Sequence, residues 1–422
     1  MNTDGVSENP EWLHIPSSSS EPPTWQLTRG SVTASVTVFS VDDEDETLPA
    51  FVEVCDGDDK RYDSDGIVEL TNRTLLATLR KVGISESDVL GLIQTINSSR
   101  RKGRELAAQL VNIIERHVAL PAGAATAIAL WIMFTYTIDA FDIAPILAIL
   151  SPMKGCGKST LVLILRALVW NPQVASNISP AALFRVIEKQ HPTLLIDEID
   201  TQLSHRNEDL RSILNAGHTR ALAKVLRCGN SESDHDVREF DVWAAKVLAG
   251  IGKLPPTVQD RAITIPMRRR LVHEHVERIR QDRLDQQYEA ARVSLKEWAD
   301  SCTQALRDAD PTLPEGLSDR ARDNWRPLLS IADAVGGDWP AQAREAALLL
   351  NSSPALEEDI GTLLLTDLRR LFHETGEPFM LTDDVLTGLI RLDARPWATF
   401  THDRPLTASG LARRLKEFGI DP

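Results

Sequence analysis

Residues 151–160 read SPMKGCGKST and residues 194–198 read LLIDE, and these two stretches hold residue types that handle phosphate. Gly155 and Gly157 flank Cys156, just ahead of Lys158, Ser159 and Thr160. In a turn between a strand and a helix, such glycines let successive backbone N–H groups converge on an anion, with the helix N-terminus aimed at it. The lysine then sits on the β and γ phosphates, and the serine hydroxyl ligates Mg²⁺. The usual G-x-x-x-x-G-K-[ST] pattern is broken, because Pro152 stands where its first glycine belongs. Pro152 removes one N–H at the loop entrance, but the amides that grip phosphate lie further on, from Lys154 to Ser159, so the chemistry survives. Downstream, an apolar run ends in Asp197 and Glu198. At the carboxyl end of a strand both acids can converge, Asp197 holding Mg²⁺ through water and Glu198 orienting and deprotonating an attacking water.

Such residues need a parallel sheet to position them. The stretches APILAIL, STLVLILRALV, SPAALFRVIE, TLLIDEID, EDLRSILNAGH, AAKVLAGIG and AITIPM alternate between strand-like and helix-like patterns, which predicts a mostly parallel sheet flanked by helices. The acidic pair is expected on a strand neighbouring the one that feeds the phosphate loop. Residues 1–24, polar and proline-bearing, read as a disordered tail, and 25–100 as a small α+β module, β-rich at first and helical from Thr74. The core is expected over 101–270, a charged helical lid over 271–352, and three helices over 353–422, with Thr382 and Thr407 as helix caps.

Composition limits the choices. A net charge of −15 over 422 residues argues against coating nucleic acid with bulk positive charge, so any DNA contact must be local. The four cysteines are far apart, without the spacing of a zinc site or a disulfide framework, and together with the lack of a signal-peptide pattern this points to the cytoplasm. The apolar stretch 122–138 is about 17 residues long and runs into the phosphate loop, so it reads as a core helix and no membrane contact is expected. The acidic run DDEDE at 42–46 reads as a solvated loop, with docking of a basic partner as the other use. Cys156 is either a small filler or a thiol whose pKa the helix start and Lys158 lower.

From about Leu120 to the end, the chain resembles a family of P-loop ATPase domains of unassigned function from actinobacterial phages, prophages and plasmids, often fused behind primase-like modules. The stretches that carry the likeness are LWIMFTYTIDAFDIAP, LSPMKGCGKST, NISPAALFRVIE, PTLLIDEID, LRSILNAGHTR, LAGIGKLPPTVQDRAITIPMRRR, RARDNWRPLLSIADAVGGDWP and LTASGLARRLKEFGI. More distantly the arrangement resembles the AAA+ class. That likeness implies an α/β P-loop NTPase core with a helical lid and a C-terminal winged-helix-like segment, ATP and Mg²⁺ as cofactors, and assembly into a homo-oligomeric ring such as a hexamer. It makes Lys154, Gly155, Cys156, Gly157, Lys158, Ser159 and Thr160 the nucleotide loop, Ser159 and Asp197 the metal ligands, and Lys158 and Glu198 catalytic. Arg261 matches an arginine finger that reaches a neighbouring subunit's γ-phosphate. Arg320, with Arg322 and Arg326 as alternatives, falls where a lid arginine would sense nucleotide. The polar sensor expected at the end of the fourth core strand is replaced by the glycines of LAGIGK, or falls to Lys253. Asn215 and His218 either face the site or form a structural pair.

Related ring helicases insert a basic-tipped hairpin before that strand. Here the matching tip, SESDHD, is acidic, leaving Lys224, Arg227 and Arg238 on its arms. The helix TASGLARRLKEF presents Arg413, Arg414 and Lys416 for DNA, yet the sequence stops at Pro422 where relatives carry a wing. Two function classes follow: a DNA-dependent ATPase or helicase of phage or plasmid replication, and an ATP-driven protein switch, such as a loader, regulator or phage-interference factor, that works on a replication or host protein.

Overall fold

The computed structural model describes five strands among residues 13–63. It also describes residues 86–422 except 177, 204–207, 229–236, 272, 353–359, 393–394, 401–403, 417 and 421–422. The strands β1 (Leu13–Ile15), β2 (Thr24–Arg29), β3 (Val32–Val38), β4 (Ala50–Asp56) and β5 (Lys60–Asp63) form one antiparallel sheet in chain order. Within the expected tail, Leu13 and Ile15 alternate about His14 and pair with Gln26 and Thr24, although proline and serine surround them. The acidic run 42–46 and the onset of helicity at Thr74 lie outside the described residues.

Helix α1 (Glu86–His117) leads into α2 (Ala124–Thr137). Apolar on every side, α2 belongs in an interior, and twelve of its residues are buried. No helix among the described residues is long and apolar enough to cross a membrane. The Trp131 indole donates to the Pro145 carbonyl at 2.9 Å, pinning α2 to the start of the central sheet. Three later helices, α9 (Glu289–Arg307), α10 (Asp319–Val335) and α11 (Trp339–Ser352), pack around α2. One apolar core runs from Leu106 to Ala347, so the boundary expected after Arg270 does not separate two cores.

The central sheet has five parallel strands in the order β12, β6, β11, β8, β7. These are β6 (Ile146–Ser151), β7 (Pro172–Ala175), β8 (Thr193–Ile196), β11 (Lys246–Ile251) and β12 (Ala262–Pro266). In register, Leu248 of β11 lies opposite Ala148 of β6 and Ile196 of β8. The acidic strand β8 is therefore not the neighbour of the loop strand β6, as expected, because β11 lies between them. Helices α3 (Lys158–Leu168), α4 (Pro180–Gln190), the short α5 (Ile199–Gln202) and α6 (Glu208–Ala216) link the strands, and α3 packs on β6, β7 and β11. The remaining short helices are α7 (Pro256–Gln259) and α8 (Leu284–Gln287).

Before β11, the strands β9 (Lys224–Cys228) and β10 (Val237–Asp241) form an antiparallel pair, and the acidic tip between them lies outside the described residues. Lys224 pairs with Glu239 at 2.5 Å, Arg227 with Asp209 at 3.1 Å and Arg238 with Glu188 at 3.2 Å. The C-terminal helices α12 (Ile360–Thr375), α13 (Thr382–Ile390) and α14 (Ala408–Lys416) enclose a second small core around Trp397, whose indole donates to Asp367 at 2.7 Å. Thr407 caps α14 by accepting from the Gly410 N–H at 3.2 Å. Thr382 caps nothing: it is the first residue inside α13, and Leu381 holds the cap position. Met153, in the turn after β6, packs against both cores, so this module leans on that turn.

Candidate active site

At the carboxyl ends of β6, β11 and β8 a cleft of about 710 Å³ opens, the edge at which parallel sheets bind ligands. Lys154 to Thr160 line one side of it, and Asp197, Glu198, Asp200 and Thr201 line another. The loop has the geometry its glycines permit. Gly155 and Gly157 take φ of 80° and 82°, in the left-handed region that other residues enter only at a cost. Gly157 then starts α3 with no side-chain cap and no acid in the first turn. The first amides of α3 thus keep their hydrogen-bonding capacity for an anion.

Lys158 lies low in the loop. Its ammonium donates to the Ser151 hydroxyl at 2.5 Å and to the Met153 carbonyl at 3.4 Å, while Ser151, buried at the end of β6, itself donates to Met153 at 2.6 Å. Burial lowers the lysine's pKa, and Cys156, Asp197 and Asp200 oppose that shift. Cys156 is buried, with its thiol on the Met153 carbonyl at 3.4 Å. Burial raises its pKa and outweighs Lys158, which favours the small filler over the activated thiol.

On the acidic side, Asp197 Oδ1 accepts from the Glu198 N–H at 2.9 Å. Glu198 has φ 55° and ψ 38°, a left-handed conformation that costs a bulky residue about 1–3 kcal/mol. That turn carries the side chain off the strand's alternation and leaves it exposed on the cleft. Asp200 is a residue that sequence reasoning missed. Its carboxylate accepts from the Ile251 N–H at 3.0 Å, closing off the end of β11. A Cβ on Gly250 would meet that oxygen at 2.9 Å and the Ile199 methyl at 2.8 Å. The glycine standing where a polar sensor was expected makes room for this contact, and Lys253 lines an adjoining cavity of about 410 Å³ instead of the cleft.

The remaining side was also missed. His117, Val118 and Ala119, at the end of α1, face Arg268, Arg270 and Val276 across the cleft. His117 Nδ1 donates to the Glu277 carbonyl at 2.9 Å, and the Glu277 N–H returns to the Arg116 carbonyl at 2.8 Å, so segment 267–277 is strapped to α1. Arg268 grips Glu274 with both terminal nitrogens, at 2.8 and 2.5 Å, and holds that carboxyl down at about 2. Arg269 stands against the loop, within 3.5 Å of where a Gly155 Cβ would be. The run MRRR was the only local signal.

Arg261 and Arg320 are not in this cleft. The Arg261 carbonyl accepts from Ile146 at the amino end of β6, and Arg261 directly precedes β12. A five-residue strand spans about 17 Å, so the residue sits at the opposite edge of the sheet. Arg320 lies near Arg261 and does not line the cleft. Arg326 pairs with Asp310. His218 and Asn215 are also away from the cleft: His218 is fully buried on Asn324, and Asn215 donates to Thr257 at 3.2 Å.

Among the described residues no three His, Cys, Asp or Glu side chains form a metal cluster. The Ser159 hydroxyl and the Asp197 carboxylate share the cleft, a hard-oxygen pair that suits Mg²⁺ when phosphates complete its shell.

Residues 266–422 match a family described as protein of unknown function, DUF3631; that segment begins after the phosphate loop and the acidic strand. The chain is 38% identical over 129 residues to an uncharacterized 28.9 kDa protein in the xis 5′ region of Saccharopolyspora erythraea. The match takes in 30% of this chain and 47% of that protein, so the chain spans about half the length of this curated relative. Among solved structures it is similar to the apo C-terminal region of NrS-1, at 14% identity and a TM-score of 0.27, over 69% of this chain and 59% of that one. JCV helicase with a bound phenoxyphenyl acetamide gives 11% identity and a TM-score of 0.26, over 66% of each chain. At these scores the overlap defines no shared architecture, and function has to be argued from the site.

Proposed function

We propose that this chain is an AAA+-like P-loop ATPase that hydrolyses ATP with Mg²⁺ in the cleft and couples turnover to DNA in phage or plasmid replication. The observation that carries the reading is the meeting of an uncapped helix start, with Lys158 and Ser159, and the carboxylates Asp197 and Glu198 in one cleft. The amides from Gly155 to Thr160 hold phosphate oxygens, and Lys158 moves its charge from Ser151 onto the β and γ phosphates. Ser159 and Asp197 would hold Mg²⁺, which when bound neutralises charge on the phosphates. Glu198 holds a water in line with the γ-phosphorus and takes its proton as the bond to the leaving oxygen breaks. Val118, Ala119 and Val276 offer apolar contact to the base, with Arg268 and Arg270 beside them. Arg261, at the far edge, serves the cleft of a neighbouring subunit in a ring, and Arg413 and Lys416, exposed on α14 with Arg414 beside them, reach for DNA.

One observation favours the second reading, a protein switch that does not translocate. All three basic residues on the hairpin arms are tied to carboxylates, which lowers their draw on DNA phosphates. The deciding experiment is steady-state ATP turnover with and without single-stranded DNA, with Glu198→Gln as the blank. A tenfold rise, about 1.4 kcal/mol at the catalytic step, supports the DNA-coupled motor. Turnover indifferent to DNA supports the switch, and no turnover above the blank removes the ATPase reading altogether.

A further inference from the structure

Between β6 and the phosphate loop the chain runs Ser151, Pro152, Met153, and donors gather on the Met153 carbonyl. It accepts from the Ser151 hydroxyl at 2.6 Å, the Cys156 thiol at 3.4 Å and the Lys158 ammonium at 3.4 Å. A carbonyl offers two lone pairs, so three donors compete for it. The lysine contact is longer than the about 2.7–3.2 Å usual for N–H donors, and its closer partner is the Ser151 hydroxyl at 2.5 Å. Charge-assisted bonds to phosphate readily replace such a hold. The side chain of Met153 has other neighbours. Among the described residues it is the one apolar side chain that packs against both the main core and the small core around Trp397.

One residue thus joins the C-terminal module of α12, α13 and α14 to the lysine of the phosphate loop. Pro152 stiffens the joint. Its ring fixes φ directly before Met153, where the glycine of the usual pattern would let the turn yield. A force on the Met153 side chain therefore reaches its carbonyl instead of being absorbed in the turn. To reach the β and γ phosphates, Lys158 must leave Ser151 and Met153. We propose that Met153 is a positioning residue through which the C-terminal module controls Lys158: the module seated on Met153 holds the lysine back, and nucleotide that draws the lysine away unseats the module. Linkage makes the two effects equal in size. The proposal rests on the ATPase reading of the cleft and adds a regulator to it, since a ligand that pulls α14 away frees the lysine.

The test uses the full chain. Met153→Ala removes the seat, and its affinity for a fluorescent ATP analogue with Mg²⁺ should rise at least about fivefold, with KM falling in step and no matching fall in kcat. A methionine needed only to pack the loop gives the opposite sign, weaker binding. Met153→Leu keeps volume and the apolar seat and should bind as the wild type does. Pro152→Gly keeps the seat but slackens the joint, so it too should gain affinity. In the wild type, a non-hydrolysable ATP analogue should speed hydrogen exchange across α12, α13 and α14; in Met153→Ala exchange there should be fast from the start and indifferent to nucleotide. Weaker binding by Met153→Ala with Pro152→Gly unchanged, or exchange that ignores nucleotide in a wild type that binds it, overturns this proposal alone. A wild type that binds no nucleotide removes the ATPase reading and this inference with it.

Discussion

The two edges of the central sheet treat their polar groups in opposite ways. At the carboxyl edge, α3 begins without a cap, Lys158 has only a hydroxyl and a carbonyl as partners, and Glu198 is held in a strained turn. At the amino edge most buried groups satisfy one another, with Asn215 Oδ1 and Trp243 Nε1 as exceptions. His218 and Asn324 pair, and Lys246, buried at the start of β11, donates to the Gly217 and Ala244 carbonyls at 2.7 Å each, its pKa brought down to about 7 by burial. Polar groups held open for an outside partner mark a working site, whereas closed networks mark scaffold.

The largest effects should come from the open edge. Lys158→Ala removes the half-buried cation of the loop and should cost about 10²–10³-fold in turnover, with ATP affinity lost in parallel, as a fluorescent-nucleotide titration would show. Retained affinity would mean that the open groups at this edge are not a phosphate site. Glu198→Gln keeps shape and φ but cannot take a proton, so turnover should fall about 10²–10⁴-fold while binding holds. Equal loss of binding and turnover would move Glu198 from proton transfer to nucleotide binding.

These residues were legible because their signals are local. The phosphate loop announces itself by glycines between an apolar run and a helical period, and LLIDE by a run that stops at two acids. The strand order was not legible, since β11 slips between β6 and β8 by a choice of partners that no local pattern records. Strand β7 escaped because PQVA is four residues long, opens on proline and lies at a partly exposed sheet edge. His117 and Arg268 are far apart in sequence and meet only through the strap.

The closed edge should answer in stability. Asn324→Ala leaves the His218 ring and the Asp260 carbonyl without their partner and should cost about 1–3 kcal/mol, visible as a lower Tm, while ATP affinity stays unchanged. A variant with normal Tm would show that the network is slack. His218 adds a pH signature. Burial, the largest cause, holds its pKa at about 4, below the ordinary 6.5. The unfolded chain therefore takes up a proton between pH 6.5 and 4 that the folded chain refuses, and stability falls as pH drops through that window. In His218→Gln this contribution should vanish, so the difference in Tm between the two proteins should change across pH 6.5 to 4 and stay constant above it.

The smallest effect tests whether the open edge is strained for its function. Glycine adopts the Glu198 dihedrals without the Cβ clash but loses more backbone entropy on folding. The two terms partly offset, so Glu198→Gly should gain up to about 1 kcal/mol in stability while losing turnover as fully as Glu198→Gln. A paired measurement of Tm and turnover reads both at once. If the glycine variant is less stable than Glu198→Gln, the left-handed turn is comfortable in its surroundings, and the contrast between the edges reduces to hydrogen bonding alone. If it is more stable and inactive, the fold gives up stability at one residue to turn a carboxylate off the strand and into the cleft.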